Sequence, residues 1–170
     1  MKLAFELVLP NEEEKIKGVY QIIRTCGLRM YEDHGLVHWQ SPYPIEAIRS
    51  NCQEREVFLV KDLTDNIYIH TFQLEFKPDS SQTKIDGQKS RLTAVISKFA
   101  TLPEVSGRGV GVQSINYIEE YCRDKNVQKI RLEVYDRSTH AIQFYEKRGF
   151  NIAGSRPTRH FTVYIMEKVI

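Results

Sequence analysis

The chain has 170 residues, 41% of them hydrophobic and 27% charged, with a formal net charge of +2; it is long enough to bury a core of its own without disulfides or metal. No apolar run reaches the ~18 residues of a membrane span, and the charge is too small and too scattered for a nucleic-acid partner, which would need a basic stripe. Cys26, Cys52 and Cys122 are odd in number and far apart, so they read as reduced thiols and not as zinc ligands, and no metal is expected.

The start Met1-Lys2-Leu3-Ala4-Phe5 meets Glu6 before any long apolar stretch develops. It therefore reads as a strand over 2–9, not as a secretory segment, and a cytoplasmic location without membrane attachment is expected. After Pro10, Asn11 supplies an N-cap and Glu12-Glu13-Glu14 an acidic first turn for a helix running to about Tyr31, with Ile16, Val19, Ile22 or Ile23, and Cys26 as its apolar stripe. Residues 35–44 are aromatic and irregular, holding His38, Trp39 and Tyr43, and a short helix follows from Ile45 to about Cys52. Strands are expected over 56–61 and 67–76 around a turn at 64–66. The polar segment 77–89 has no apolar period and predicts an exposed, mobile loop. A strand over 91–102 closes at Pro103, and from that strand onward the order is strand, turn, helix, strand, helix, strand, strand. No repeat and no linker divides the chain, so one domain over 1–170 is expected.

Ser106-Gly107-Arg108-Gly109-Val110-Gly111-Val112 follows a strand and opens a helix whose Val112, Ile115, Ile118 and Cys122 share one face. Backbone N–H groups converging at a helix N-terminus suit a phosphate or pyrophosphate. The dinucleotide fingerprint and the P-loop both require glycine where Val112 stands, so both fail. The alternative is a glycine-rich connection that holds no ligand.

Phe99-Ala100-Thr101-Leu102-Pro103-Glu104 leading into Gly107-Arg108-Gly109-Val110-Gly111 resembles the acetyl-coenzyme A motif of the GNAT superfamily, Q/R-x-x-G-x-G/A. Gly109 and Gly111 take the two glycine positions, and Ser106 stands where glutamine or arginine is usual. The later segment is similar to N-x-x-A-x-x-x-Y-x-x-x-G-F, with Ala141, Tyr145, Gly149 and Phe150 in register and Ser138 in place of the asparagine. The resemblance implies an α/β fold with a mixed, mostly antiparallel seven-stranded sheet, about four helices on both faces, and a splay between strands four and five. It implies that Gly107, Arg108, Gly109, Val110, Gly111 and Val112 hold the pyrophosphate of acetyl-coenzyme A. Phe99, Ala100 and Thr101 would bond the pantetheine arm and offer N–H groups to an oxyanion, and Ser138 would cap its helix and touch the same arm.

The implied activity is transfer of an acetyl group to a primary amine by direct attack in a ternary complex. A phenol beside the sulfur can protonate the departing thiolate, which points to Tyr145; the alternative is a core tyrosine. The attacking amine must lose a proton, and Glu133 is the first candidate base. It sits in the strand 129–135, which reads as buried, where its pKa would rise, and it resembles the strand glutamate assigned as base in ribosomal-protein N-terminal acetyltransferases of this superfamily. The alternative is a surface glutamate paired with Arg131 or Lys129. His70, Glu75, His140 and His160 are weaker candidates. Trp39 and Tyr43 fall where the family has its variable acceptor lid, although Trp39 equally reads as a core anchor. The acceptor is a small-molecule or peptide amine, and domains of this family often form homodimers. A second reading is a coenzyme A-binding sensor that does not catalyse transfer, to which the off-pattern Ser106 and Ser138 lend weight.

Overall fold

The computed structural model describes residues 1–39, 43–78 and 91–170. The predicted mobile loop lies outside them except for Lys77 and Pro78, which end a strand. In chain order the elements are β1 (Leu3–Leu7), α1 (Glu13–His34), α2 (Ile45–Glu54), β2 (Glu56–Asp62), β3 (Ile67–Pro78), β4 (Leu92–Thr101), α3 (Val110–Asp124), β5 (Val127–Tyr135), α4 (Thr139–Glu146), β6 (Asn151–Pro157) and β7 (Thr162–Val169). The strands form one seven-stranded sheet in the order β1-β2-β3-β4-β5-β7-β6. β4 and β5 run parallel, and the β1–β2, β2–β3, β5–β7 and β6–β7 pairs are antiparallel.

The residues group into two compact units, 1–74 with 98–113 and 75–97 with 114–170. In the first, Ile16, Val19, Ile22 and Ile23 of α1 are at most 3% exposed and pack with Ile48 and Cys52 of α2 and Val57 and Leu59 of β2. Steps of three and four residues, from 16 to 19 and from 19 to 22 and 23, put these α1 residues on one stripe. Phe58 and Phe72 are direct partners in the β2–β3 ladder and stack at 4.9 Å. Phe99 and the ring of His70 join Phe72 in that aromatic group.

The start of α1 differs from the expected Asn11 cap. The chain turns at residues 9–12, where the Glu12 N–H donates to the Leu9 carbonyl (3.0 Å) and the Glu12 carboxylate accepts from the Leu9 N–H (2.8 Å). The helix therefore begins at Glu13 with no side-chain cap. That backbone bond, then Lys15, hold the Glu12 carboxyl below its usual range. At the other end Gly35 takes a left-handed conformation (φ 63°) and its N–H closes on the Tyr31 carbonyl at 2.8 Å, a standard glycine stop.

In the second unit, β5 is not buried on both sides as expected. Ile130, Leu132 and Val134 are buried, whereas Arg131 and Glu133 are exposed. The period of two places one face in the core and the other in solvent. The β5–β7 and β6–β7 ladders complete this unit.

Gly27 marks the tightest fit in the first unit, because a Cβ there would fall 2.4 Å from Cε3 of Trp39. Gly27→Ala gains about 1 kcal/mol of helix propensity but must displace a rigid indole, at about 1–3 kcal/mol. The expected result is a lower urea midpoint together with a shift in the emission of the chain's single tryptophan. An unchanged midpoint would show that the ring moves freely.

Candidate functional site

The second half of β4 is held on two sides. Its ladder with β5 ends at Ile96↔Leu132, and two residues later Lys98 takes φ 49°, in the left-handed region. Such a conformation costs a non-glycine residue about 1–2 kcal/mol and interrupts the extended backbone of the strand at this residue. Beyond it, the Cys26 thiol of α1 donates to the Thr101 carbonyl at 3.2 Å. The Thr101 hydroxyl and Nδ1 of His70 share a hydrogen bond of 2.8 Å, and the Leu102 N–H donates to the Ile69 carbonyl at 2.9 Å. The stretch Phe99–Thr101 is thus an anchored strand end.

The glycine turn that follows is pinned at both ends, since Val105 and Val110 pack with the fully buried Ile69. Gly107 and Gly109 have φ of 77° and 83°, and a Cβ at either would meet nothing within 4 Å. Glycine is therefore required by conformation and not by crowding. The Gln113 N–H bonds to the Gly109 carbonyl at 3.1 Å, so the N–H groups of Val110, Gly111 and Val112 have no intrahelical acceptor. α3 carries no acidic residue in its first turn, which leaves its positive end uncompensated and open to an anion. Arg108 is exposed on the turn.

In the second unit Tyr145 is 8% exposed, with its ring against Phe144 (5.1 Å) and Phe150 (5.6 Å). Burial pushes its phenol well above the usual range, so the group is a proton donor at neutral pH. The α4 segment ends as predicted: the Gly149 N–H bonds to the Glu146 carbonyl, the Phe150 N–H to that of Tyr145, and Gly149 has φ 83°. Ser138 stands at the N-cap position without capping. Its ψ of 68° departs from the extended backbone that turns a cap hydroxyl toward the helix.

The expected burial of Glu133 is corrected. Its carboxylate is exposed and accepts two bonds from the Arg156 guanidinium, at 2.8 and 2.7 Å. The partner is neither Arg131 nor Lys129; both pair with Glu167 instead. β5 and β6 both flank β7, which lets an arginine on one reach a glutamate on the other.

Trp39 and Tyr43 both pack against the α1–α2 cluster. The Tyr43 ring also lies 4.4 Å below Nζ of Lys98, and that ammonium is 3.5 Å from Oε1 of Gln73. Burial pushes the Tyr43 phenol up, but the nearby Lys98 and Asn51 side chains outweigh it and the net direction is down. Lys98, Gln73 and Asn51 were not singled out in the sequence. The available signal was polarity, a lysine and a glutamine each interrupting an apolar strand. A separate cleft of about 540 Å³ between α1 and the β2–β3 turn, lined by Gln21, Thr25, Lys61, Tyr68 and Glu104, contains none of the predicted site residues. Among the described residues no helix is long and apolar enough to cross a membrane, and no cluster of three or more His, Cys, Asp or Glu is placed to hold a metal ion.

Residues 34–150 match the model of the acetyltransferase (GNAT) family. The Bacillus subtilis (strain 168) protein YxbD is 33% identical over 117 residues, 68% of this chain, and the match spans 63% of that relative's length. Among solved structures, the PaiA N-acetyltransferase of Thermoplasma acidophilum in complex with coenzyme A superposes over all of both chains with a TM-score of 0.76 at 15% identity. The ribosomal-protein-S18-alanine N-acetyltransferase of Escherichia coli gives 0.70 at 18% identity, over 99% of this chain and 94% of that one. Arabidopsis thaliana NAA60 in complex with acetyl-CoA gives 0.73 at 14%, over 99% of each. At such identities the likeness is one of fold.

Gly109→Ala forces a Cβ into the left-handed region at a cost of about 1–2 kcal/mol, and if this turn holds coenzyme A, calorimetry is expected to show its binding weakened about five- to thirtyfold. Gly35→Ala, with a similar φ and equally open surroundings, serves as control and leaves that affinity unchanged. His70 is fully buried, and desolvation lowers its pKa to about 3 from 6.5. The unfolded chain takes up this proton near pH 6.5 and the native state only near 3. Stability is therefore full above 6.5 and falls with pH through that window, by about 1.4 kcal/mol per pH unit for this group. Urea unfolding of His70→Leu between about pH 7 and about pH 4 should show a shallower acid slope than the parent.

Proposed function

The chain belongs to the acetyltransferase (GNAT) family, and on that premise we propose that it is a single-domain N-acetyltransferase moving an acetyl group from acetyl-coenzyme A to a primary amine. The observation that carries the reading is the left-handed pair Gly107 and Gly109 at the start of α3, whose first turn carries no acidic residue, directly after the anchored end of β4. Three free N–H groups and a helix dipole form a cradle for a pyrophosphate. Gly107 to Val112 fill that role, and the edge Phe99–Thr101 binds the pantetheine arm; Cys26 occupies one lone pair of the Thr101 carbonyl and leaves the other for it.

The cosubstrate supplies an activated acetyl thioester. The neutral amine attacks its carbonyl carbon, a C–N bond forms, and the oxyanion is met by N–H groups of the β4 end. The C–S bond then breaks, and the Tyr145 phenol, kept protonated by burial, gives its proton to the thiolate. The proton lost by the amine passes to an ordered water or to Glu133, and Glu133 can accept it only after releasing Arg156. Ser138 touches the pantetheine arm through its hydroxyl, which no cap bond engages.

The engagement of Glu133 by Arg156 is also what favours the second reading, a module that binds coenzyme A without turning it over. Incubation with acetyl-coenzyme A and a panel of amines separates the two: released thiol and acetylated amine support transfer, and saturable binding without product supports the module. In the active case Tyr145→Phe should lower kcat about 100-fold while the KM for acetyl-coenzyme A stays within about twofold. An unchanged kcat would remove Tyr145 as the acid.

A further inference from the structure

Resting on that acetyltransferase reading, we propose that Lys98, with Gln73, Asn51 and Tyr43, forms a subsite for a carboxylate carried by the acceptor. The acceptor is then an amino acid or a similar small molecule holding both an amine and a carboxylate. Lys98 is half-buried, and among the described residues no carboxylate pairs with it. Lys15, Lys17, Lys77, Lys129 and Lys168 have such partners, while Lys61 and Lys125 lie, like Lys98, over aromatic rings. What surrounds Lys98 is a ring face and an amide oxygen, at 4.4 and 3.5 Å. Both attract the ammonium and neither neutralises it.

The amide groups sharpen the picture. Gln73 is fully buried and turns its oxygen to the ammonium; the flipped orientation would set two donors against each other. Its Nε2 is left without an acceptor, and the buried Asn51 turns its amide toward the Tyr43 phenol beside the same ammonium. Buried donors are rarely left unmatched. Here a cation and two amide donors converge, among the described residues, with no carboxylate paired to them, and a carboxylate accepts only. A phosphate dianion would call for a second cation or an arginine fork, and none of the four residues supplies one. The left-handed backbone at Lys98 fits as well, a strained conformation of the kind retained at functional sites. Lys98 immediately precedes Phe99, so a carboxylate held there lies beside the strand edge assigned to the thioester arm.

The test is a set of amino acids and the amines left by their decarboxylation, each with acetyl-coenzyme A. The expected result is at least a tenfold higher kcat/KM for the amino acid of the best pair. Lys98→Asn removes the charge but tolerates positive φ, and Gln73→Glu sets a carboxylate against the ammonium; each should collapse that ratio at least tenfold, chiefly through KM. Equal use of amines and amino acids by the parent, or an undiminished ratio in both variants, would overturn the subsite. If no amine is acetylated, the transferase reading fails by itself, and thermal shift with the same compounds decides the subsite separately. A rise in melting temperature with amino acids but not with amines, lost in both variants, upholds it; no such rise overturns it.

Discussion

The two hydrogen bonds made by Thr101, one to the Cys26 thiol and one to the His70 ring, fix the strand end on which the rest of the site depends. β4 spends its first half in a parallel ladder with β5 and abandons it after Ile96. A strand that leaves its neighbour exposes backbone groups, which is unfavourable unless the freed segment is held elsewhere. Here α1 and β3 hold it. The glycine turn begins a few residues further on, bracketed by Val105 and Val110 against Ile69, so the proposed phosphate cradle and the proposed thioester edge lie on one short, anchored stretch of chain.

The two halves of the proposed chemistry are unequally prepared. The binding half needs only backbone: positive φ at two glycines and the N–H groups of a helix start. The chemical half needs side chains in particular protonation states, and only one is set in advance. Burial keeps the Tyr145 phenol protonated, whereas Glu133 is tied to Arg156. A family match over 34–150 and a shared fold identify the scaffold, and the scaffold by itself leaves the acceptor open, because function resides in the site and not in the fold.

Much of this was legible in the sequence because it is local. Glycines at 107 and 109, the apolar stripe of α1, and the run from Ala141 to Phe150 each announce a conformation within a few residues. The misreadings were of side-chain partners. Asn11 looked like a cap, but Glu12 turns back on Leu9. Ser138 stands at a cap position with the wrong ψ. Glu133 lies among apolar residues in sequence, yet strand alternation turns it to solvent, where Arg156, 23 residues away, finds it. The cluster of Asn51, Gln73 and Lys98 is non-local altogether: one residue on α2 and two on neighbouring strands, brought together only by sheet pairing and helix packing.

The thiols have a chemical consequence of their own. Cys52 and Cys122 are buried and Cys26 is largely so. Desolvation, with a smaller push from Glu104, raises the Cys26 thiol to about 12, and burial also raises Cys52. Reactivity follows the thiolate, so Cys26 and Cys52 are nearly inert toward disulfides and electrophiles near neutral pH. A protein whose proposed reaction liberates a free thiol at every turnover is thereby poorly susceptible, at these two cysteines, to exchange with the disulfide that this product forms once it is oxidised.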